Sequence, residues 1–148
     1  MNAATLRLDI VSAEKEIFSG EVTAIFVTGE MGELGISPGH SQLLTSLRPG
    51  YVRAVLAGKS DEEEEVFYIS GGMLEVQPYI VSVLADDAKR ANDIDEAAAL
   101  AAKEQAEKAL AGKMSAIDLA RATMEVAEIS AQIRAINQLK RRARGGRS

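Results

Sequence analysis

The chain has 148 residues, no cysteine, one histidine and a net charge of −5. This is enough for one domain with a real core, or a modest domain with an appendage. It excludes disulfides, thiol nucleophiles, cysteine-ligated zinc and a histidine-pair metal site, so no metal is expected.

The amino terminus, MNAATLRLDIVS, lacks the basic and apolar regions of a secretory signal, and the mature chain is expected to stay in the compartment where it is made. From there to about residue 85 the pattern has a period of two. Leu6, Leu8 and Ile10 alternate with Arg7 and Asp9; Val22, Ala24 and Phe26 alternate with Thr23, Ile25 and Val27. Further strands are predicted at Gln42 to Leu47, Tyr51 to Leu56, Val66 to Ser70, Met73 to Gln77 and Tyr79 to Leu84. Turn signals separate them: Ser19-Gly20, Gly29 to Gly39, Pro49-Gly50, Gly58-Lys59, Gly71-Gly72 and Pro78, the spacing of an all-β sandwich or barrel. Gly71-Gly72 reads as a two-residue hairpin. The acidic run Asp61 to Glu65 reads as a solvated loop. The longest mainly apolar run without a charge, Val76 to Ala85, is far short of the roughly 20 residues of a spanning helix.

The stretch GEMGELGISPGH, Gly29 to His40, is glycine-rich but does not suit a phosphate. Glu30 and Glu33 lie inside it, the nearest cation beyond it is Arg48, and Pro38-Gly39 stands where a helix should begin. Turn glycines are the simpler reading.

The chain changes character near residue 86. Residues 1–85 carry five Lys/Arg against twelve Asp/Glu, and 86–148 carry twelve against ten. The second part is rich in alanine and poor in β-branched residues, which favours helix. One helix is predicted from a capping box at Asp93 and Glu96 to about Ala111, with Gly112 at C′. A second is predicted from Ser115, with Asp118 three places on, to about Arg142. Leu119, Ala122, Val126, Ile129, Ile133 and Ile136 make a narrow stripe along it, and Ala99, Ala102, Ala106 and Ala109 answer with the same rhythm. The result is an antiparallel hairpin with little area in its seam, so the second helix is expected to be able to leave the first. The predicted architecture is thus an all-β sandwich domain over 1–86, followed by an α-helical hairpin with a basic tail over 87–148.

Three segments then carry a resemblance. GELGISPGH followed by LLT, then SGGMLEVQP, then VLADDAKRANDIDEA followed by AKEQAEKAL resemble, in this order, the epsilon-subunit family of F-type ATP synthases. The likeness runs from Leu6 to about Arg142. It implies a non-catalytic central-stalk subunit whose sandwich docks on the gamma subunit and on the c-ring, coupling proton-driven ring rotation to gamma. It also implies carboxy-terminal helices able to reach the catalytic alpha and beta subunits and inhibit ATP hydrolysis. The implied location is peripheral, on the cytoplasmic face of a bacterial inner membrane, touching the membrane only through the complex.

By the same resemblance, Glu33 and His40 are c-ring contacts, and Arg134, Lys140, Arg141 and Arg142 face the catalytic head. Some relatives bind ATP between the helices. Here Ile94-Asp95-Glu96-Ala97-Ala98-Ala99 keeps Asp95 but has Ala98 at the arginine position, while Gln105 and Gln138 stand where further arginines would help. Asp95 and Arg134 remain as weak ATP candidates, ATP binding is expected to be weak or absent, and no cofactor is expected. The cationic end KRRARGGR does not suit nucleic acid, because no aromatic residue follows Tyr79 and the remainder of the chain is acidic. An enzyme built on His40 and Ser41 is disfavoured by the absence of GxSxG. A free-standing adaptor with a helical binding arm is the alternative function.

Overall fold

A computed structural model describes residues 4–58, 63–112 and 115–145, the side chains of 142–145 excepted. Among the described residues the elements run β1 (Leu6–Ser12), β2 (Glu16–Gly29), β3 (Gly32–Ile36), β4 (Leu43–Leu56), β5 (Glu64–Ile69), β6 (Gly72–Val76), β7 (Ile80–Ala85) and β8 (Ala88–Arg90). A 3-10 turn at Ala91–Asp93 leads into α1 (Glu96–Leu110) and α2 (Ala116–Gly145). The architecture is a β-sandwich followed by a two-helix hairpin.

The strand order is β3-β2-β1-β7-β6-β4-β5-β8, and β2 also pairs with β4. That extra pairing closes β2, β1, β7, β6 and β4 into a ring. Two 14-residue strands make the closure possible. The first part of β2 pairs with β1 and its second part with β3 and β4. The first part of β4 pairs with β6 and its second part with β5. Inward side chains, including Leu6, Leu8, Ile10, Val52, Leu74, Val81 and Val83, fill one core and are almost fully buried.

Several predicted turns lie inside these elements. Ser19-Gly20 is part of β2, where Gly20 pairs with Leu8. Pro49-Gly50 is part of β4, at the place where that strand leaves β6 after Leu47 and meets β5 from Gly50. A missing N–H costs no ladder bond at such a changeover. Gly50 passes so close to β2 that a Cβ there would overlap the Thr28 side chain. Gly71-Gly72 is not a hairpin: β5 and β6 lie on either side of β4, and the pair forms the crossing between them. Periodicity shows that two segments are strands but not that they are neighbours.

The alternation in β2 also breaks. Val22, Ile25 and Val27 are buried, not Val22, Ala24 and Phe26, because the register with β4 shifts between Val22 and Ala24. One extra residue moves every later side chain to the opposite face. The glycine-rich stretch contains β3, with Glu30 and Met31 at the tip of the β2–β3 hairpin and Gly29 opposite Gly32. In the acidic run, Asp61 and Glu62 lie outside the described residues. Glu64 and Glu65, however, belong to β5, paired with Arg53 at 2.9 Å and Arg90 at 2.6 Å. Finally, β8 carries the sheet to Arg90, past residue 86, by pairing with β5.

The cap of α1 is Asp95 instead of Asp93. Its carboxylate accepts from the Ala98 N–H at 3.1 Å, while Asp93 sits in the 3-10 turn. At the other end Ala111 is the C-cap, and Gly112 follows without entering the left-handed region. Ser115 opens α2 as expected: its hydroxyl accepts from the Asp118 N–H at 3.2 Å and donates to the Asp118 carboxylate at 2.9 Å.

Candidate functional site

The seat of α2 on the sheet is the first functional feature. In β5 the residues Val66 to Ile69 are all buried: Phe67 and Ile69 point into the β core, whereas Val66 and Tyr68 point outward beneath α2. Ala131 and Ala135, fully buried, rest on them together with Ala91; Tyr51, Ile94 and Leu139 close the sides. A different face of α2, with Val126, Ile129 and Ile133, meets Ala99 and Ala106 of α1. The apolar stripe read from sequence is therefore only this second face. Leu119 is 46% exposed at the far end, and Ala102 and Ala109 of the answering stripe are exposed. The alanines that hold the arm to the body were not identified as such, because an alanine in a helix reads as propensity until a partner face is known. Their i, i+4 spacing was the available signal.

Polar contacts reinforce the seat. The Arg134 guanidinium donates to the Pro49 carbonyl at 3.2 Å, which ties α2 to β4. Lys140 pairs with Glu96 at 2.7 Å, which ties the end of α2 to the start of α1. Glu96 thus serves as an ion-pair partner and does not reach back to a cap. Burial pushes the Tyr68 phenol up to about 12, with the negative charge of Glu128 on α2 adding to the effect.

The second feature is the segment around β3. Glu33 lies directly opposite Thr28 across the β2–β3 hairpin. Thr28 Oγ1 accepts from the Tyr51 N–H at 3.2 Å, and the Tyr51 hydroxyl donates to the Glu33 carboxylate. Burial, then Glu33, pushes the Tyr51 phenol up to about 12, while the charges of Arg53 and then Arg141 oppose the rise. His40 sits beyond β3 in a Ser37-Pro38-Gly39-His40 turn. Gly39 has a φ of 85°, and the His40 N–H donates to the Ser37 carbonyl at 3.1 Å; these are the marks of proline at the second and glycine at the third position of a type II turn. The His40 ring places Nδ1 2.7 Å from the Ser41 carbonyl, so it engages the backbone of Ser41 and not its hydroxyl.

The candidate residues thus fall into separate groups. Arg134, Lys140 and Arg141 lie along the end of α2, while Arg142 has its side chain outside the described residues. Glu33 is linked through Tyr51 to the seat of that helix, and His40 stands apart on its turn. Asp95 is occupied in capping α1, and Arg134 faces the sheet, so the two weak ATP candidates are not brought together. The groove between the helices, about 410 Å³, is lined by Ala101, Ala102, Gln105, Ala106, Ala109 and Glu125. None of these side chains is cationic.

The third feature is the sheet face formed by β1, β7, β6 and β4. Cross-strand pairing places Val11 beside Leu84, Leu84 beside Met73 and Met73 beside Ser46. Leu84 is 55% and Met73 38% exposed, with Leu44 and Ile80 on the same face more than 40% exposed. Next to this row, Arg7, Asp9 and Ser19 form a closed polar cluster. Ser19 donates to Asp9 at 2.6 Å and, with Arg7, holds that carboxyl below its usual range.

Comparison with known proteins gives a consistent pattern. Residues 5–91 match the family described as ATP synthase, Delta/Epsilon chain, beta-sandwich domain; residues 92–137 match ATP synthase, Delta/Epsilon chain, long alpha-helix domain. The chain is similar to the ATP synthase epsilon chain of Nitrosococcus oceani, 54% identical over 140 residues that cover 95% of this chain and 98% of that one. It is similar also to that of Legionella pneumophila (strain Corby), 55% identical over 138 residues covering 93% and 96% of the two chains. In three dimensions it resembles a chain of the Euglena gracilis mitochondrial ATP synthase structure of OSCP, F1 and c-ring, with a TM-score of 0.77, 20% identity, and coverage of 88% of this chain and 81% of that one. A chain of the Tetrahymena thermophila central stalk and c-ring structure gives a TM-score of 0.59 at 16% identity, covering 94% and 98%.

Proposed function

The chain belongs to the ATP synthase delta/epsilon family, as an epsilon-type subunit of the F-type central stalk, and from this premise we propose that it couples rotation and restrains hydrolysis without being a catalyst. The sandwich docks on gamma through the face carrying Val11, Leu84 and Met73. Glu33 and His40 meet polar loops of the c-ring at the end of the sandwich. The arm reaches the catalytic alpha and beta subunits, where Arg134, Lys140, Arg141 and Arg142 engage acidic groups. The complex lies on the cytoplasmic face of a bacterial inner membrane.

The observation that carries this reading is how little holds α2 in place. A helix of 30 residues spans about 45 Å. On the sheet it rests on Ala131 and Ala135 with Leu139 at the side, helped by the Arg134 bond to the Pro49 carbonyl and a Gln132–Tyr68 hydrogen bond. On α1 its Val126, Ile129 and Ile133 meet, among the described residues, only alanines and Ile94, and the Lys140–Glu96 ion pair is exposed. Exposed ion pairs contribute about 0–1 kcal/mol, and an alanine methyl buries far less than a leucine side chain. Two of the cations proposed for the extended state, Arg134 and Lys140, also fasten the compact state, so moving the arm gives them new partners for old ones. Exposed apolar rows of the kind at Leu84 and Met73 mark protein contact surfaces when they are contiguous, which supports the docking of gamma there.

Truncation after Gly112 tests the inhibitory half. The shortened chain, reconstituted with gamma and the catalytic subunits, is expected to assemble and support proton-coupled synthesis while ATP hydrolysis rises severalfold. Unchanged hydrolysis would leave only a structural role. For ATP itself we propose weak or absent binding, because Asp95 is engaged as a helix cap and position 98 offers only a methyl group. Calorimetric titration of the full chain is expected to show no micromolar site; a micromolar dissociation constant overturns this.

A further inference from the structure

We propose that the bond from the Tyr51 hydroxyl to Glu33 is a latch: a guanidinium or ammonium group of a partner that takes the Glu33 carboxylate loosens α2 from its seat, and a seated α2 keeps Glu33 from that partner. The inference rests on the reading above that Glu33 faces a polar loop of the rotor, and it adds a link between that end of the sandwich and the arm.

The link is short and continuous. Glu33 stands on β3, and its carboxylate accepts from Tyr51 on β4. The Tyr51 backbone is fixed by Thr28 at 3.2 Å. Its ring packs in the cluster that contains Ala131, Ala135 and Leu139. Two residues before it in the chain, the Pro49 carbonyl accepts from Arg134. One strand segment, Pro49 to Tyr51, therefore presents both a backbone acceptor and an aromatic wall to α2, and Glu33 sets the direction of that wall.

The sign of the coupling follows from pre-organisation. Bonded to Glu33, the Tyr51 ring is already held where the cluster of Ala131, Ala135 and Leu139 packs against it; without that bond the ring turns more freely, and seating α2 must immobilise it. The released arm makes no such demand on the ring. Taking Glu33 therefore penalises the seated state more than the released one. By linkage the reverse holds, and seating of α2 lowers the affinity of Glu33 for a cation by the same factor. Immobilising one freed side chain corresponds to a change of about 2- to 10-fold in the population of released arm.

Amide hydrogen exchange on the full chain tests this. Tyr51→Phe and Glu33→Ala are each expected to speed exchange of residues 131–139 about 2- to 10-fold, with β1 and β7 unaffected. The double variant should match the stronger single one, since both remove the same bond. Millimolar blocked triarginine peptide should speed the same amides in the unaltered chain and not in Glu33→Ala. Unchanged exchange in Tyr51→Phe, additive effects in the double variant, or a peptide effect that persists without Glu33 would each overturn the latch. Co-purification with gamma is scored separately: its failure with the exchange pattern intact sinks the stalk reading and leaves the latch standing.

Discussion

Gly72→Ala is expected to lower the melting temperature of the full chain by about 5–15 °C, the largest effect of any single methyl group in the sandwich. Gly72 has a φ of 141°, a conformation that L side chains rarely adopt. A Cβ there would overlap the Leu84 carbonyl oxygen and lie 2.9 Å from the Ala85 Cα. Both are backbone atoms of β7, which is held between β6 and β1, so no rotamer change relieves the overlap. Strained backbone costs about 1–3 kcal/mol and overpacking about 1–3 kcal/mol. Gly39 provides the control. It also has positive φ, 85°, but nothing lies within 4 Å of its Cβ position. Gly39→Ala should therefore cost only the backbone strain, at the low end of that range. Differential scanning calorimetry of both variants checks the comparison, and equal melting shifts would show that the β6–β7 approach is not the controlling contact.

Ala135→Glu is expected to release α2 from the sheet while the β core keeps its stability. Ala135 is fully buried against the side of β5 that carries Val66 and Tyr68. An unpaired carboxylate there costs about 3–5 kcal/mol, more than an alanine-based seat and its few polar contacts can repay, so the helix lifts and the charge returns to water. Tyrosinate absorbance provides the readout. Burial raises Tyr68 from 10.0 to about 12, with Glu128 second; Tyr51 is raised to about 12 by burial and then Glu33. In Ala135→Glu both phenols should titrate closer to 10. A midpoint unchanged near 12 would mean that the sheet, and not the arm, shields them. The same values imply a pH dependence in the unaltered chain. The seated state favours the neutral phenols, so their contribution is complete below pH 10 and is lost as the pH rises from about 10 to about 12.

The division into a β part and a helical part is legible from residue order alone, since the change from period two to an alanine-rich helical pattern needs no long-range information. The start of α2 was equally legible, because Ser115 and Asp118 form a local motif. Matters of neighbourhood, by contrast, depend on the folded chain. Whether Gly71-Gly72 turns a hairpin or crosses β4 depends on which strand lies between, and whether Pro49 ends a strand or sits at a change of partner depends on β5 and β6. The face that β2 buries after Val22 follows from a bulge opposite β4, which alternation alone does not reveal. Ala131 and Ala135 became a seat only because Val66 and Tyr68 lie beneath them. Local pattern makes Tyr51 a strand residue and Glu33 a loop carboxylate; their bond exists because β3 and β4 both pair with β2, which brings together residues 18 positions apart. Local pattern reports propensity and amphipathicity, whereas contact partners are set by how the chain closes on itself.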